Sequence, residues 1–440
     1  MATDPTSLQR GAYKRLWALR PYRLFWLANV FSNLGTSAFV MAMTWLTVSR
    51  YGAHGIALLA LGYAVPQFLL QLLGGATTDS IAHRRLFLGT ETAFLLGALL
   101  LWLASRNGEV PLLLLVGVNA FNGVVSAFDT PARTTLITEM VPSDELVNAQ
   151  QFYSVAANLT NVFGPALGGV LLSLGRSDQS HEENAFLFNV LSFLPLICCI
   201  PLLPAGRRPR RDKAVATGRS AAMLRSIVDG LAYVSRQRQV RVLMALLAMV
   251  MLLGMPFQTL LPIFVHDHPT LHGGHQLYAA LLSAVGLGGL IGSLVGMSVS
   301  AGQRRSLGLT LGLAALGLAL AIVLLVASRV VHWTSLAAFF AGACSVLSVN
   351  LNTALVMGLT PLDIQGRVSA IASMGKGLQS FAAAAASEAI HWLTGLMPAG
   401  DAYQWVQSLL AVALMVAVLW IWTPLSRVER SVPDGDGCSC

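Results

Sequence analysis

The apolar residues of this chain come in long blocks, and block length decides between a folded core and a bilayer. A helix needs about 20 consecutive apolar residues to cross the hydrocarbon layer. Twelve segments meet that length: Leu24 to Val48, Ile56 to Thr78, Leu86 to Ala104, Pro111 to Phe128, Ser154 to Leu174, Ala185 to Leu203, Val242 to Val265, Leu277 to Val299, Leu307 to Ala327, Leu336 to Leu359, Val368 to Leu396 and Val406 to Trp422. The runs are too long for barrel strands and lack their two-residue alternation. The pattern predicts an all-α membrane protein with twelve transmembrane helices.

The charges between the blocks set the topology. Of the 28 Lys and Arg, only Arg50, Arg106, Arg176 and Arg329 fall on one set of loops and Lys376 falls inside a segment, which leaves 23 on the other set and the termini. Lys and Arg accumulate on the cytoplasmic side of a membrane, so both termini are expected inside a bacterial-type inner membrane. The longest basic stretch, 204–241, divides the chain into bundles of six helices at 1–203 and 242–425, with a cytoplasmic tail at 426–440. Two repeats support the duplication. Pro142-Ser143-Asp144 and Pro361-Leu362-Asp363 recur 219 residues apart, and Arg84-Arg85 and Arg304-Arg305 recur 220 apart.

Composition agrees. Only 11% of residues are charged and 55% are hydrophobic, against roughly 25% charged in a soluble domain. The net charge of +8 lies in loops rather than on one patch, which excludes nucleic acid as the partner and leaves the bilayer. Cys198, Cys199 and Cys344 fall in apolar segments and read as packing residues; Cys438 and Cys440 end the chain. The residues before Tyr22 are polar and basic, without the apolar stretch of a cleavable signal.

Polar residues inside apolar segments point to a transport path. Segment 1 places Asn29, Ser32, Asn33 and Thr36 on one face, by their i, i+3, i+4, i+7 spacing. Segment 4 carries Asn119, Asn122 and Ser126, a face that continues to Asp129 and Arg133 at its cytoplasmic end. Segment 5 carries Gln151, Ser154, Asn158 and Asn161. In the second half Gln258 and Thr259 lie between two prolines, and Ser348 and Asn352 lie in segment 10. Singly, each is as readily an interhelical hydrogen bond worth about 0.6 kcal/mol; collectively the stripes favour a path. Lys376 lies nine residues into segment 11, roughly 13 Å deep, where a lysine costs on the order of 3 kcal/mol. Its expected role is to bind an anionic group of a substrate or to take part in ion coupling, with a structural pairing as the alternative. Glu91 and Glu388 are the nearest acids by depth, and neither is an evident partner. The cluster His266, Asp267, His268, His272 and His275 shows no fixed metal-ligand geometry, so no metal and no cofactor are expected.

Four stretches carry a family resemblance. Gly74-Gly75-Ala76-Thr77-Thr78-Asp79-Ser80-Ile81-Ala82-His83-Arg84-Arg85 resembles the loop signature G-x-x-x-D-R-x-x-R-R of the major facilitator superfamily. Gly164-Pro165-Ala166-Leu167-Gly168-Gly169 resembles the G-P-x-x-G-G signature of its exporters. Phe128-Asp129-Thr130-Pro131-Ala132-Arg133, with Tyr22-Arg23-Leu24-Phe25-Trp26, is similar to the secretion-effector, enterobactin-exporter-like branch. The resemblance implies two pseudo-symmetric six-helix bundles with segments 1, 4, 7 and 10 around a central cavity. It also implies a cytoplasmic gate in which Asp79 latches the halves together, here toward Arg133 and Arg367, with Arg84, Arg85 and Asp129 beside it. Ser80 stands where the family carries arginine. Val40 and Thr44 stand where many relatives carry an arginine and an acid, so no charge relay is implied in segment 1.

The expected function is secondary active transport, proton-driven export of a small siderophore- or drug-like amphipathic molecule by a monomer, and not enzyme catalysis. No Walker A sequence is present for ATP. A lipid or lysolipid flippase of the same fold and a non-transporting receptor are the alternatives.

Overall fold

The computed structural model describes residues 15–78, 82–108, 110–142, 145–174, 182–203, 232–268, 273–302 and 307–428. Among them every regular element is helical: α1 (Arg20–Thr78), α2 (His83–Arg106), α3 (Leu112–Met140), α4 (Leu146–Ser173), α5 (Glu183–Cys199), α6 (Arg238–Met249), α7 (Pro256–Asp267), α8 (Gly274–Gly302), α9 (Leu307–Ala327), α10 (Val331–Leu359), α11 (Leu362–Leu393) and α12 (Ala399–Val428). The expected fold class holds. Ten helices among the described residues are long and apolar enough to cross a membrane. Two features raise that number to twelve passes. At 59 residues α1 is too long for one, and it breaks at Gly52, whose φ of 60° suits glycine. The chain folds back there, so that a Cβ on Gly55 would lie 3.0 Å from Thr47 Cγ2. The other pass is α11, with Lys376 within two residues of its midpoint.

Two element boundaries differ from the sequence expectation, for physical reasons. Segment 4 was expected to end at Phe128, but α3 runs on to Met140. Asp129 and Arg133 end the apolar run without ending the helix, because their polar groups are satisfied inside the bundle. They are therefore interior residues, not residues of a helix end. Segment 7 was expected as one helix, yet α6 and α7 are joined by a single π turn at Val250–Gly254. Pro256 follows and has no N–H to give. The ladder widens ahead of it, with Met255 N donating to Val250 O at 2.9 Å, an i to i−5 bond.

The chain divides into two compact units. Unit 1 is Met1–Lys213 with Gly273–Ser283, and unit 2 is Ala214–His272 with Ala284–Cys440. In unit 1, α1 packs along α3, α4 and α5, and α2 packs on α3 and α5. At the end expected to be cytoplasmic, Tyr22, Phe25, Phe87, Leu136, Ile137 and Leu196 form a closed apolar core. Aromatic residues tie α1 to α4 there. Tyr22 Oη donates to Ala149 O at 2.8 Å, Trp26 Nε1 donates to Phe152 O at 3.2 Å, and the Trp26 and Phe152 rings stack at 4.7 Å.

In unit 2, α9 packs on α10 and α12. Gly288, Gly292 and Gly296 on α8, four residues apart, meet Phe339, Ala343 and Leu347 on α10. Small residues at this spacing let two membrane helices approach backbone to backbone.

The outer surface is apolar. Leu113, Leu202, Leu409, Trp392 and Trp420 each keep 70% or more of their surface exposed. In water such a surface drives association; in lipid it is the contact surface.

Glycine substitution tests the packing. A Cβ on Gly123 would overlap the Tyr63 carbonyl oxygen, whereas one on Gly117 meets nothing within 4 Å. Gly123→Val is expected to destabilise the detergent-solubilised protein by about 1–3 kcal/mol, read as a lowered thermal midpoint. Gly117→Val should leave that midpoint near wild type, and equal shifts would contradict the packing.

Candidate functional site

Ionisable groups inside a bilayer are costly and must find one another. In unit 1 they do. Arg133 on α3 lies one helical turn after Asp129, so both project to one face. A guanidinium has five N–H donors, and each has an acceptor. Nε donates to Asp129 Oδ2 at 3.2 Å. Nη2 donates to the same oxygen and to Glu91 Oε1 on α2, both at 2.8 Å. Nη1 donates to Asn29 Oδ1 on α1 at 2.6 Å and to Tyr153 Oη on α4 at 3.4 Å. The Phe87 ring covers the guanidinium at 5.2 Å, a cation–π contact.

The two carboxylates are not equivalent. Both Asp129 oxygens are bonded, because Thr90 Oγ1 donates to Oδ1 at 2.9 Å. Glu91 is fully buried, and among the described residues its Oε2 has no hydrogen-bond partner; Asn29 Nδ2 is a second such buried atom. The cluster thus holds one cation, two acids and two unmet polar atoms. An ion without a counterion costs several kcal/mol when buried, more than the 1–3 kcal/mol of an unpaired neutral polar group.

The structure gives several of the predicted path residues interhelical partners. Asn29 accepts from Arg133. Thr36 Oγ1 donates to Asn189 Oδ1 at 3.5 Å, Asn119 Nδ2 to Leu59 O at 2.7 Å, and Asn352 Nδ2 to Leu243 O at 2.9 Å. Asn122 Oδ1 is buried with no partner among the described residues. Asn33, Asn158 and Gln258 are half-buried. Lys376 and Arg367 lie on α11, but their side chains fall outside the described residues. So do Asp79, Arg304, Arg305, His272, Cys438 and Cys440 as whole residues, together with the side chain of Gln151. Arg84 Nη1 donates to Leu203 O at 3.0 Å, tying the start of α2 to the end of the first bundle, and Arg85 is exposed.

The exporter-like motif on α4 is a packing face. Gly164, Pro165, Gly168 and Gly169 are all buried. A Cβ on Gly164 would overlap Ser37, one on Gly168 would meet Ala38 O at 3.1 Å, and one on Gly169 would meet Ala279 Cβ at 2.6 Å. Ala279 belongs to the first turns of α8, which unit 1 includes. Those turns are held also by Trp45 stacked on Tyr278 at 5.9 Å and by His275 Nε2 at 3.1 Å from Ser173 Oγ. The histidine cluster is dispersed: His266 Nδ1 pairs with Asp267 Oδ1 at 2.6 Å, and His268 is buried against the Phe264 ring. Among the described residues no three His, Cys, Asp or Glu side chains are grouped to hold a metal.

Glu91 is the residue whose partner sequence reasoning missed. The signal was present: an acid eight residues into α2 lies roughly 12 Å from the helix end, and Arg133 lies roughly 10 Å from the end of α3. Assigning Arg133 to the cytoplasmic gate as the partner of Asp79 concealed that match.

Residues 17–430 match the family described as transmembrane secretion effector. The chain is 23% identical to the staphyloferrin A transporter of Staphylococcus aureus over 62% of its length. It spans 64% of that relative, less than two thirds. It is 27% identical to the multidrug efflux pump Tap of Mycolicibacterium fortuitum, over 69% of this chain and 73% of that one. The solved structure of a bacterial homologue of the iron transporter ferroportin superposes with a TM-score of 0.69 over 93% of this chain and 99% of that one, at 15% identity. A bacterial homologue of the lysosomal transporter Spinster gives 0.67 over 93% and 98%, at 14% identity. At such identities the structures establish the fold alone.

The cluster makes a stability prediction. Arg133→Gln leaves the buried Asp129 carboxylate without its cation and Glu91 Oε1 without its donor, and is expected to cost about 3–5 kcal/mol. Adding Glu91→Gln and Asp129→Asn should restore most of the loss, because the site is then neutral. A triple variant no more stable than Arg133→Gln in thermal unfolding would show that the charges are not what the arginine satisfies.

Proposed function

The chain belongs to the transmembrane secretion effector family of major facilitator transporters, and from that membership we propose that it exports a small amphipathic molecule, siderophore- or drug-like, by proton-driven alternating access. The family and the relatives are transporters, not enzymes, and the protein is a multi-pass membrane protein. The observation that carries the direction is the match to a multidrug efflux pump over 69% of the chain; the staphyloferrin A transporter supports the siderophore-like class.

In this reading two six-helix bundles, 1–203 and 242–425, joined by the basic linker 204–241, rock about a site near the bilayer midplane. The protein works as a monomer in a bacterial inner membrane with both termini and the tail 426–440 cytoplasmic. Asn33, Asn122, Asn158 and Gln258 line the path, and Lys376 receives an anionic group of the substrate at mid-membrane. Asp79, Arg84, Arg85 and Arg367 hold the cytoplasmic face closed, and the Gly164-Pro165-x-x-Gly168-Gly169 face lets α4 move against its neighbours. Proton drive is favoured because a buried acid with an unmet oxygen, Glu91, sits in the first bundle and the chain carries no nucleotide loop.

Energised everted vesicles containing the protein are expected to accumulate compounds from a panel of siderophores, macrolides and lipophilic dyes, and an uncoupler should abolish it. A charge-assisted hydrogen bond is worth about 1.5–3 kcal/mol, so Lys376→Ala should weaken uptake of an anionic substrate by about ten- to a hundredfold. Accumulation of no compound, with labelled lysolipid moved instead, would replace the export reading with a flippase.

A further inference from the structure

We propose that Glu91 Oε2 is a proton-binding site of the transporter, and that the proton it carries is the coupling ion. The second half of this statement rests on the proton-driven reading above; the first stands on geometry alone.

The cluster contains Arg133 as its cation and Asp129 and Glu91 as its acids. If both acids are ionised, one negative charge is left over in a place closed to water. Asp129 is the better-satisfied acid: two guanidinium N–H groups point at its Oδ2, and the Thr90 hydroxyl, shared with Phe87 O, lies 2.9 Å from its Oδ1. Glu91 has one donor, on Oε1, and nothing on Oε2. The surplus charge is therefore cancelled at Glu91, where a proton on Oε2 leaves the Arg133 bond to Oε1 intact.

Among the described residues the surroundings of the cluster supply no competing charge. From α1 the cluster meets the neutral Asn29, and Tyr63 lies near Asp129; α4 contributes Tyr153. At this depth α5 faces α2 with Phe193 stacked on Phe94 at 6.3 Å. The next titratable pair on α2 and α3 is His83 Nδ1 with Glu139 Oε1 at 2.8 Å, about 12 Å nearer the end of α2. Asn29 and Glu91 are both bonded to the Arg133 guanidinium, and Asn29 Nδ2 is a second buried polar atom without a partner among the described residues. The chemistry is one proton taken up by Oε2 from water and returned to water on the other side, with no other bond made or broken. Turnover moves it when Arg133 releases Oε1 and the carboxylate finds water instead.

Isotope-edited infrared spectroscopy of the purified full chain tests the assignment. Glutamate labelled with heavy carbon in its side-chain carboxyl should shift a protonated-carboxyl band present at neutral pH; labelled aspartate should not, and Glu91→Gln should lack the band. No glutamate-sensitive band, or a band that persists in Glu91→Gln, overturns the site. In proteoliposomes Glu91→Gln should lose accumulation of a lipophilic dye driven by a pH gradient but keep gradient-free dye counterflow, which shows that the variant is folded. Full gradient-driven accumulation by Glu91→Gln overturns the coupling role. Wild-type accumulation indifferent to the pH gradient overturns proton drive itself, while the spectrum still decides whether Glu91 holds a proton.

Discussion

A buried guanidinium must spend all five of its donors, and Arg133 spends them on α1, α2, α4 and its own helix. That requirement fixes the first bundle. Four helices meet at one depth because one side chain obliges them to, and sliding any of them by a turn would leave a charge or a donor unmet in a medium with no water to substitute. Such a cluster adds little net stability compared with well-packed apolar residues, but it penalises alternative registers heavily. The aromatic clasp of Tyr22 and Trp26 on α4 and the closed core beneath it supply the non-specific attraction. The arginine supplies the specification.

The second bundle is organised by a different device. It relies on glycine stripes, Gly288, Gly292 and Gly296 facing Phe339, Ala343 and Leu347, and on a π turn that absorbs Pro256 without ending the span. Packing between small residues tolerates sliding better than a network of charges does. The two bundles thus share a helix count but not a mechanism of cohesion.

Much of this was legible in the sequence. Apolar run length predicted all twelve passes, because lipid forbids any other spanning structure to a chain so patterned. The glycines of α4 read as close-contact residues in the sequence, and a Cβ on Gly164, Gly168 or Gly169 would meet Ser37, Ala38 or Ala279. Run length failed at Asp129: a polar residue ends an apolar window whether it ends the helix or is satisfied within it, and only the tertiary partner decides. The asparagines expose the same limit. Asn119 and Asn352 look identical along the chain to a residue lining a cavity, yet each donates to a carbonyl of a neighbouring helix. Glu91 was visible as a costly acid, but its cation could not be matched while Arg133 was assigned to the cytoplasmic gate.

If transport is tied to one proton held in the first bundle, as proposed, thermodynamic reciprocity requires that moving the substrate also moves the proton. Proteoliposomes containing a trapped pH-sensitive fluorophore receive a pulse of exported dye with no pH gradient present. The account predicts that dye movement shifts the internal pH in the wild-type protein and leaves it unchanged in Glu91→Gln. Dye that crosses through the wild-type protein with no shift in internal pH would contradict it.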